Sequence, residues 1–323
     1  MESKTKFAIG CLVQWYELDI ISYYVESLKA AIQSYDGEVH IDMTLVMNQQ
    51  LEKTTLSAKE FESIETKIYS MFHELQQYCN GGLVFVNTYR NIYTIADYRR
   101  EFNTKFCNTS DVLIWGESDM LVPNQMFIAL NSLHQSQSKE TPKYLATFSI
   151  CKMWDASWKA LEHVDFTDKP FIDNDYENWW SLKYTMTIDE MNSINNKVTE
   201  LDVSVISPHK FNGCGLVISS EVIKSGVNIP QSVFFVHEDT AFMLMTQKIL
   251  GNIPQYHFKN ILMVHNRNHP LKRNYIAGES GDTLNKKRRS NEWYVKANMF
   301  SEQNCYNMFN TNYKSKTWND VWK

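Results

Sequence analysis

No uninterrupted apolar run in this chain of 323 residues approaches the roughly 20 residues needed to span a bilayer, so no transmembrane helix is expected. A signal peptide is not expected either. The run Phe7–Val13 follows Lys4 and Lys6 but is short and has no small-residue cleavage site, and it reads as a first strand. The six cysteines (Cys11, Cys79, Cys107, Cys151, Cys214 and Cys305) form no C-x-x-C pair and no zinc-type spacing. Several sit in apolar runs, where a buried thiol is the usual state, so a reducing cytoplasm is the expected location. No Gly-rich loop with a Lys or Arg follows the first strand; Val13-Gln14-Trp15-Tyr16 stands there instead, which sets aside a nucleotidyltransferase. Repeats and low-complexity segments are absent. The net charge of -5 excludes a wholly basic nucleic-acid binder.

What is present suits a globular α/β protein. Hydrophobic residues make up 43% and charged residues 21%, enough for a sizeable core in one large or two closely joined domains. Aromatics reach 13%, with 9 Trp and 17 Tyr, residues that build cores and also fit the faces of sugars and bases. Charge is unevenly spread: residues 259–323 hold 12 Lys+Arg against 5 Asp+Glu, while the rest of the chain carries a net of -12. A basic C-terminal part on an acidic body reads either as a site for an anionic ligand or as a solvated tail.

Along the first 135 residues strand and helix patterns alternate. Phe7–Val13, Val39–Met47, Leu83–Val86 and Val112–Trp115 are short apolar runs of strand character. Between them, residues 17–34 and 61–78 carry apolar residues at helical spacing, 95–106 reads as a polar-faced helix, and Pro123 is expected to open a helix ending near His134. This order predicts a mostly parallel, doubly wound sheet flanked by helices. Ligands bind such sheets beyond the carboxyl ends of the strands, which points to Gln14, Tyr16 and Glu17 after the first strand and Asn48 after the second. The second half predicts a more mixed arrangement. Tyr144–Ile150 and Asn212–Ser219 read as strands, Thr240–Leu250 as a helix, Gln255–Phe258 as a short strand and Ile261–His265 as a last apolar run. Three regions are expected: a parallel first half over 1–135, a mixed second half over 136–270, and a basic extension over 271–323.

Three segments carry candidate chemistry. In Asp111–Pro123 (DVLIWGESDMLVP) a buried strand ends in Glu117 and Asp119, separated by one residue. Side chains at i and i+2 of extended chain point the same way, and paired carboxylates are costly without a cation between them. They read either as a site for a hard divalent ion or as a solvated turn with Asp119 capping a helix. His237-Glu238-Asp239 follows the apolar run Val233–Val236 and opens a helix. It reads as a positioned general base or as ordinary acid enrichment at a helix N-terminus. Met263–Tyr275 holds His265, Arg267, His269, Lys272 and Arg273, either a metal-ligating imidazole with phosphate-binding cations or a basic loop. The tryptophans Trp154, Trp158, Trp179 and Trp180 read either as stacking platforms or as core, and the basic run Asn285–Arg289 either as phosphate contacts or as a solvated face.

The segment ending in Glu117 and Asp119 resembles the D-x-D region of GT-A glycosyltransferases, especially the family-two type, with Glu117 standing where Asp is commonest. His237-Glu238-Asp239 is similar to the x-E-D motif of those enzymes, and Gly213-Cys214-Gly215 resembles their Gly-rich acceptor-side strand. The resemblance implies a GT-A-like fold and a nucleotide-sugar donor, a UDP-sugar first among them. It implies Mn²⁺ or Mg²⁺ held by Glu117, Asp119 and His265, with Arg267, Lys272 or Arg273 on the leaving diphosphate. Asp239, with Glu238 beside it, would be the general base of an inverting transfer. The same families carry an Arg in the helix before the D-x-D strand, and Arg100 stands at that spacing. Two further readings stay open: a phage-type enzyme glycosylating hydroxymethylated cytosine in DNA, and a non-catalytic sugar- or nucleotide-binding module.

Overall fold

The first strand is apolar on both faces because it lies in the middle of a sheet covered on both sides. In the computed structural model, which describes residues 4–52, 57–137, 139–149, 151–152, 160–161, 186–206, 211–266 and 290–323, β1 (Phe7–Gln14) is buried almost throughout. It pairs in parallel with β2 (Val39–Val46), which in turn pairs with β3 (Val84–Tyr89). On its other side β1 pairs in parallel with β4 (Val112–Glu117). Two short strands, β5 (Met120–Leu121) and later β12 (Val264–His265), form a separate ladder. The main sheet continues through β6 (Leu145–Ser149), beyond which β7 (Cys151–Lys152) and β8 (Ala160–Leu161) pair only with each other. Then follow β9 (Val203–Ile206), β10 (Leu216–Ser219) and β11 (Gln255–Leu262). The eight-stranded order is β3-β2-β1-β4-β10-β6-β11-β9, with β10 antiparallel to both neighbours and β9 antiparallel to β11. This is the α/β architecture the sequence predicts, a parallel first half and a mixed second half, joined in one sheet. The crevice where the chain reverses its direction of winding lies at the carboxyl ends of β1 and β4.

Helices pack on both faces. Leu18–Gln33 and Ala58–Glu74 cover one, burying Ile21, Leu28, Ile64 and Phe72 in the larger core cluster. Ile95–Phe106 covers the other, so closely that a Cβ on Gly10 of β1 would lie 2.5 Å from the Tyr98 hydroxyl oxygen. Side-chain caps set several helix starts: Ser57 with Glu60, Thr94 with Asp97 and Thr187 with Glu190 each form a reciprocal capping box. No helix among the described residues is long and apolar enough to cross a membrane.

Several boundaries differ from the sequence expectation for visible reasons. The third strand starts at Val84 because the Leu83 N–H is donated to the His40 ring (3.0 Å). Pro123 does not open its helix. Its carbonyl accepts from the Met126 N–H (3.0 Å) in a preceding turn, and the helix runs Met126–Gln137. Residues 212–215 form a turn before β10, fixed by the Cys214 N–H donating to Asn212 Oδ1 (3.0 Å) and by Gly215 at φ 69°. Val233–Val236 forms no strand, and its backbone is held by side chains from two helices instead.

Candidate active site

β4 runs straight to Glu117 and turns at Ser118 and Asp119 into β5. β12 pairs antiparallel with β5, setting His265 opposite Met120, and the Asn266 N–H donates to the Asp119 carbonyl (2.8 Å). This ladder brings the late histidine onto the strand-end carboxylates. His265 Nε2 lies 3.2 Å from Glu117 Oε2 and 3.2 Å from Asp119 Oδ1. Asp119 and His265 are largely buried, while the Glu117 side chain stays 28% exposed and marks the open side.

The other oxygen of Glu117 faces a buried cation. Arg99, fully enclosed, donates from Nη2 to Glu117 Oε1 (2.7 Å) and from Nη1 to Glu238 Oε1 (2.5 Å), with its guanidinium 4.7 Å from the Trp115 ring centre. Burial opposes its charge, but Glu238, Glu117 and Asp239 outweigh burial and raise its pKa. Burial pushes Glu238 up to about 7; Arg99 draws it down, while Asp239 and Glu117 add to the rise. Trp115 Nε1 in turn donates to Asn103 Oδ1 (2.9 Å), one helical turn along from Arg99.

The remaining candidates separate into those at this centre and those elsewhere. Glu17 is buried and accepts from the Ser118 hydroxyl (2.8 Å) and the Gln14 N–H (2.9 Å), which sets it against the Glu117–Asp119 turn. Tyr16 is buried and packs edge-on against Trp15. Asn48, at φ 42°, accepts from the Tyr93 N–H (2.8 Å) and braces the loop after β3. Arg100 is turned away from the carboxylates. It donates to the carbonyls of Ile229, Pro230 and Val233 and to Asp97, a clamp on the loop before Phe234. Asp239 is half-buried in the first turn of the helix Glu238–Leu250, and its Oδ1 accepts from the Thr240 N–H (2.7 Å). His237 before it is left-handed, at φ 67°. Arg267, His269, Lys272, Arg273, the basic run 285–289 and the four tryptophans lie outside the described residues.

Two residues at the centre had no assigned role in the sequence reading. Arg99 shares the buried stripe of its helix with Ala96, Phe102, Asn103 and Phe106, so helical period alone directs it inward and Arg100 sideways. Cys214 offers a thiol to the same centre. One ligand atom each from Glu117, Cys214 and His265 lie within 4.8 Å of one another. A further contribution comes from far along the chain. Ser301 Oγ donates to the Val236 carbonyl (2.6 Å), and Asn304 Nδ2 donates to the Ser232 carbonyl (2.7 Å). The helix Glu292–Asn307 thereby braces the approach to Glu238 and Asp239, and Phe235 packs among Trp293, Tyr294 and Trp318.

In chemical terms the centre gathers Glu17, Glu117, Asp119, Glu238 and Asp239 around Arg99 and His265. This excess of negative charge, with the His265 imidazole 3.2 Å from each of two carboxylates, fits a divalent cation.

No protein-family model matches the chain, and no curated protein matches it. Solved structures similar in fold include Staphylococcus (S. aureus) TarS 1-349 in complex with UDP, with a TM-score of 0.45 and 10% identity over 79% of this chain and 58% of that one. The chain therefore spans less than two thirds of that structure. TarS 1-349 described without UDP matches over 98% of this chain and 77% of its own, with a TM-score of 0.45 and 11% identity. Glucosyl-3-phosphoglycerate synthase from Mycobacterium tuberculosis, in complex with Mn²⁺, UDP and phosphoglyceric acid, matches with a TM-score of 0.44 and 10% identity over 92% of this chain and 78% of that one.

Proposed function

We propose that the chain is a divalent-cation-dependent glycosyltransferase that uses a nucleotide sugar, a UDP-sugar first, and inverts the anomeric centre. The observation that carries this reading is the approach of His265 Nε2 to within 3.2 Å of both Glu117 and Asp119 at the end of the central strand. Glu117, Asp119 and His265 would hold Mn²⁺ or Mg²⁺, which supplies charge neutralisation for the donor diphosphate. Arg99 fixes Glu117 by one oxygen, leaving the other turned to His265. Asp239 is the base. It stands half-open at a helix N-terminus, where the dipole favours its anion, whereas Glu238 is buried and bound to Arg99. In this scheme the acceptor oxygen bonds to the anomeric carbon as its proton passes to Asp239. The bond to the diphosphate breaks on the opposite face. Arg267, Lys272 and Arg273 are the proposed partners of the departing diphosphate. Residues 1–135 form the donor side and 136–270 the acceptor side.

Calorimetry of UDP binding with and without Mn²⁺, paired with turnover of a UDP-sugar, tests the scheme. Asp119→Asn is expected to abolish the Mn²⁺-dependent part of nucleotide binding. Asp239→Asn is expected to keep that binding and lose about 10²- to 10⁴-fold in kcat. Metal-independent binding in the unaltered chain, or full turnover by Asp239→Asn, would remove the corresponding assignment.

A further inference from the structure

The turn that leads into β10 presents a single side chain to the centre, and its neighbours dictate that. A Cβ on Gly213 would lie 1.8 Å from Arg99 Nη1, and a Cβ on Gly215 would lie 2.2 Å from the Met263 sulfur at a backbone φ of 69°. Both positions therefore require glycine, and the residue between them is Cys214. Its backbone is held on one side by the Asn212 side chain and on the other by the Gly215 N–H donating to the Trp115 carbonyl (2.8 Å). The thiol is buried and faces Glu117 and His265, with one ligand atom of each within 4.8 Å of the other two.

We infer that Cys214 is a protein ligand of the cation held by Glu117 and His265, and that it biases the site toward thiophilic divalent transition ions of the zinc and cobalt class over Mg²⁺. The inference rests on the cation reading of the same carboxylates. Mg²⁺ takes oxygen donors and keeps several waters, whereas a thiolate beside an imidazole and a carboxylate matches softer ions. Forming the bond from Sγ to the metal releases the thiol proton to solvent, so uptake of such an ion liberates acid. A Mg²⁺ ion would instead be held by Glu117, Asp119 and His265 with water and leave the thiol protonated. One centre thus offers two overlapping donor sets, and the identity of the ion decides whether Cys214 joins.

Absorption spectroscopy of the full chain, stripped with chelator and titrated with Co²⁺, tests this without any turnover. The expected result is cobalt d–d bands together with a near-ultraviolet thiolate-to-cobalt charge-transfer band. Cys214→Ser should keep the d–d bands, lose the charge-transfer band, and lose about tenfold or more of the preference for Co²⁺ over Mg²⁺ in competition. Cobalt d–d bands without charge transfer in the unaltered chain, or a charge-transfer band that survives in Cys214→Ser, would overturn the inference and leave the cation reading intact. No cobalt binding at all would overturn both.

Discussion

Arg99 is one cation shared between two carboxylates, and the backbone beside it has been cleared to make room. The nearest atom to a Cβ built on Gly213 is Arg99 Nη1, at 1.8 Å. A flexible side chain would yield to a methyl group at little cost, but Arg99 is locked by Glu117 and Glu238 and cannot move without abandoning one of them. Gly213→Ala should therefore cost about 1–3 kcal/mol of stability by overpacking. Arg99→Met should cost about 3–5 kcal/mol, because it strands the buried Glu238 and removes the partner of the partly exposed Glu117. In the double variant the two effects should fall well short of additive, since the methyl group then meets a side chain with no ion pairs to lose. Urea-denaturation midpoints of the four proteins measure this. Strict additivity would show that Gly213 serves some purpose other than admitting Arg99.

At the scale of elements, the acidic helix start Glu238–Asp239 is positioned by contacts on both sides. Arg100, in the helix Ile95–Phe106, and the cap residue Thr94 hold the carbonyls of Ile229, Pro230, Val233 and Phe234, and Ser301 and Asn304 hold those of Val236 and Ser232 from the helix Glu292–Asn307. Ser301→Ala combined with Asn304→Ala takes the donors from two part-buried carbonyls, which costs about 0.5–1.5 kcal/mol for each bond lost. Amide hydrogen exchange should quicken over residues 233–240 while β1 keeps its protection. Equal acceleration in β1 would mean that the C-terminal helix supports the whole fold and not this loop in particular. The distribution of helix faces was legible in advance, because Ile95–Phe106 places apolar residues at helical spacing. Bracing by residues 65 and 72 positions further on was not legible, since a hydroxyl or amide on a polar-looking helix gives no sign of the carbonyl it will meet.

For the molecule as a whole, buried titratable groups set a pH dependence whose sign can be worked out. His40 accepts the Leu83 N–H at Nδ1 and lies 3.0 Å from Glu38 at Nε2, which fixes a neutral ring, and burial lowers its pKa below 6.5. His134, against the Tyr144 hydroxyl, is lowered by burial as well. A depressed histidine contributes stability that is full above the unfolded value of 6.5 and lost as pH falls through the folded value. Glu238 acts in the opposite sense. Raised from 4.5 to about 7, it contributes stability that is full below 4.5 and lost as pH rises through about 7. Thermal melts of chelator-treated protein should show less acid loss below pH 6.5 in His40→Gln. In Glu238→Gln they should show less loss between pH 4.5 and 7. Unchanged profiles in both variants would remove these groups from the account.

Apolar patterning dictates the sheet, because a strand buried on both faces must be apolar throughout and a helix on its face must repeat every three or four residues; β1, β2, β4 and their helices follow directly. It also marked Glu117, Asp119 and His265 as ends of apolar strands, since charge at the end of a buried run is conspicuous. The folded structure adds that Arg99 joins Glu117 to Glu238, that Cys214 faces Glu117 and His265, and that the C-terminal helix braces the loop before Glu238. Those choices depend on which distant residues arrive at the same point, and pairing across a hundred residues is set by packing that no local pattern encodes.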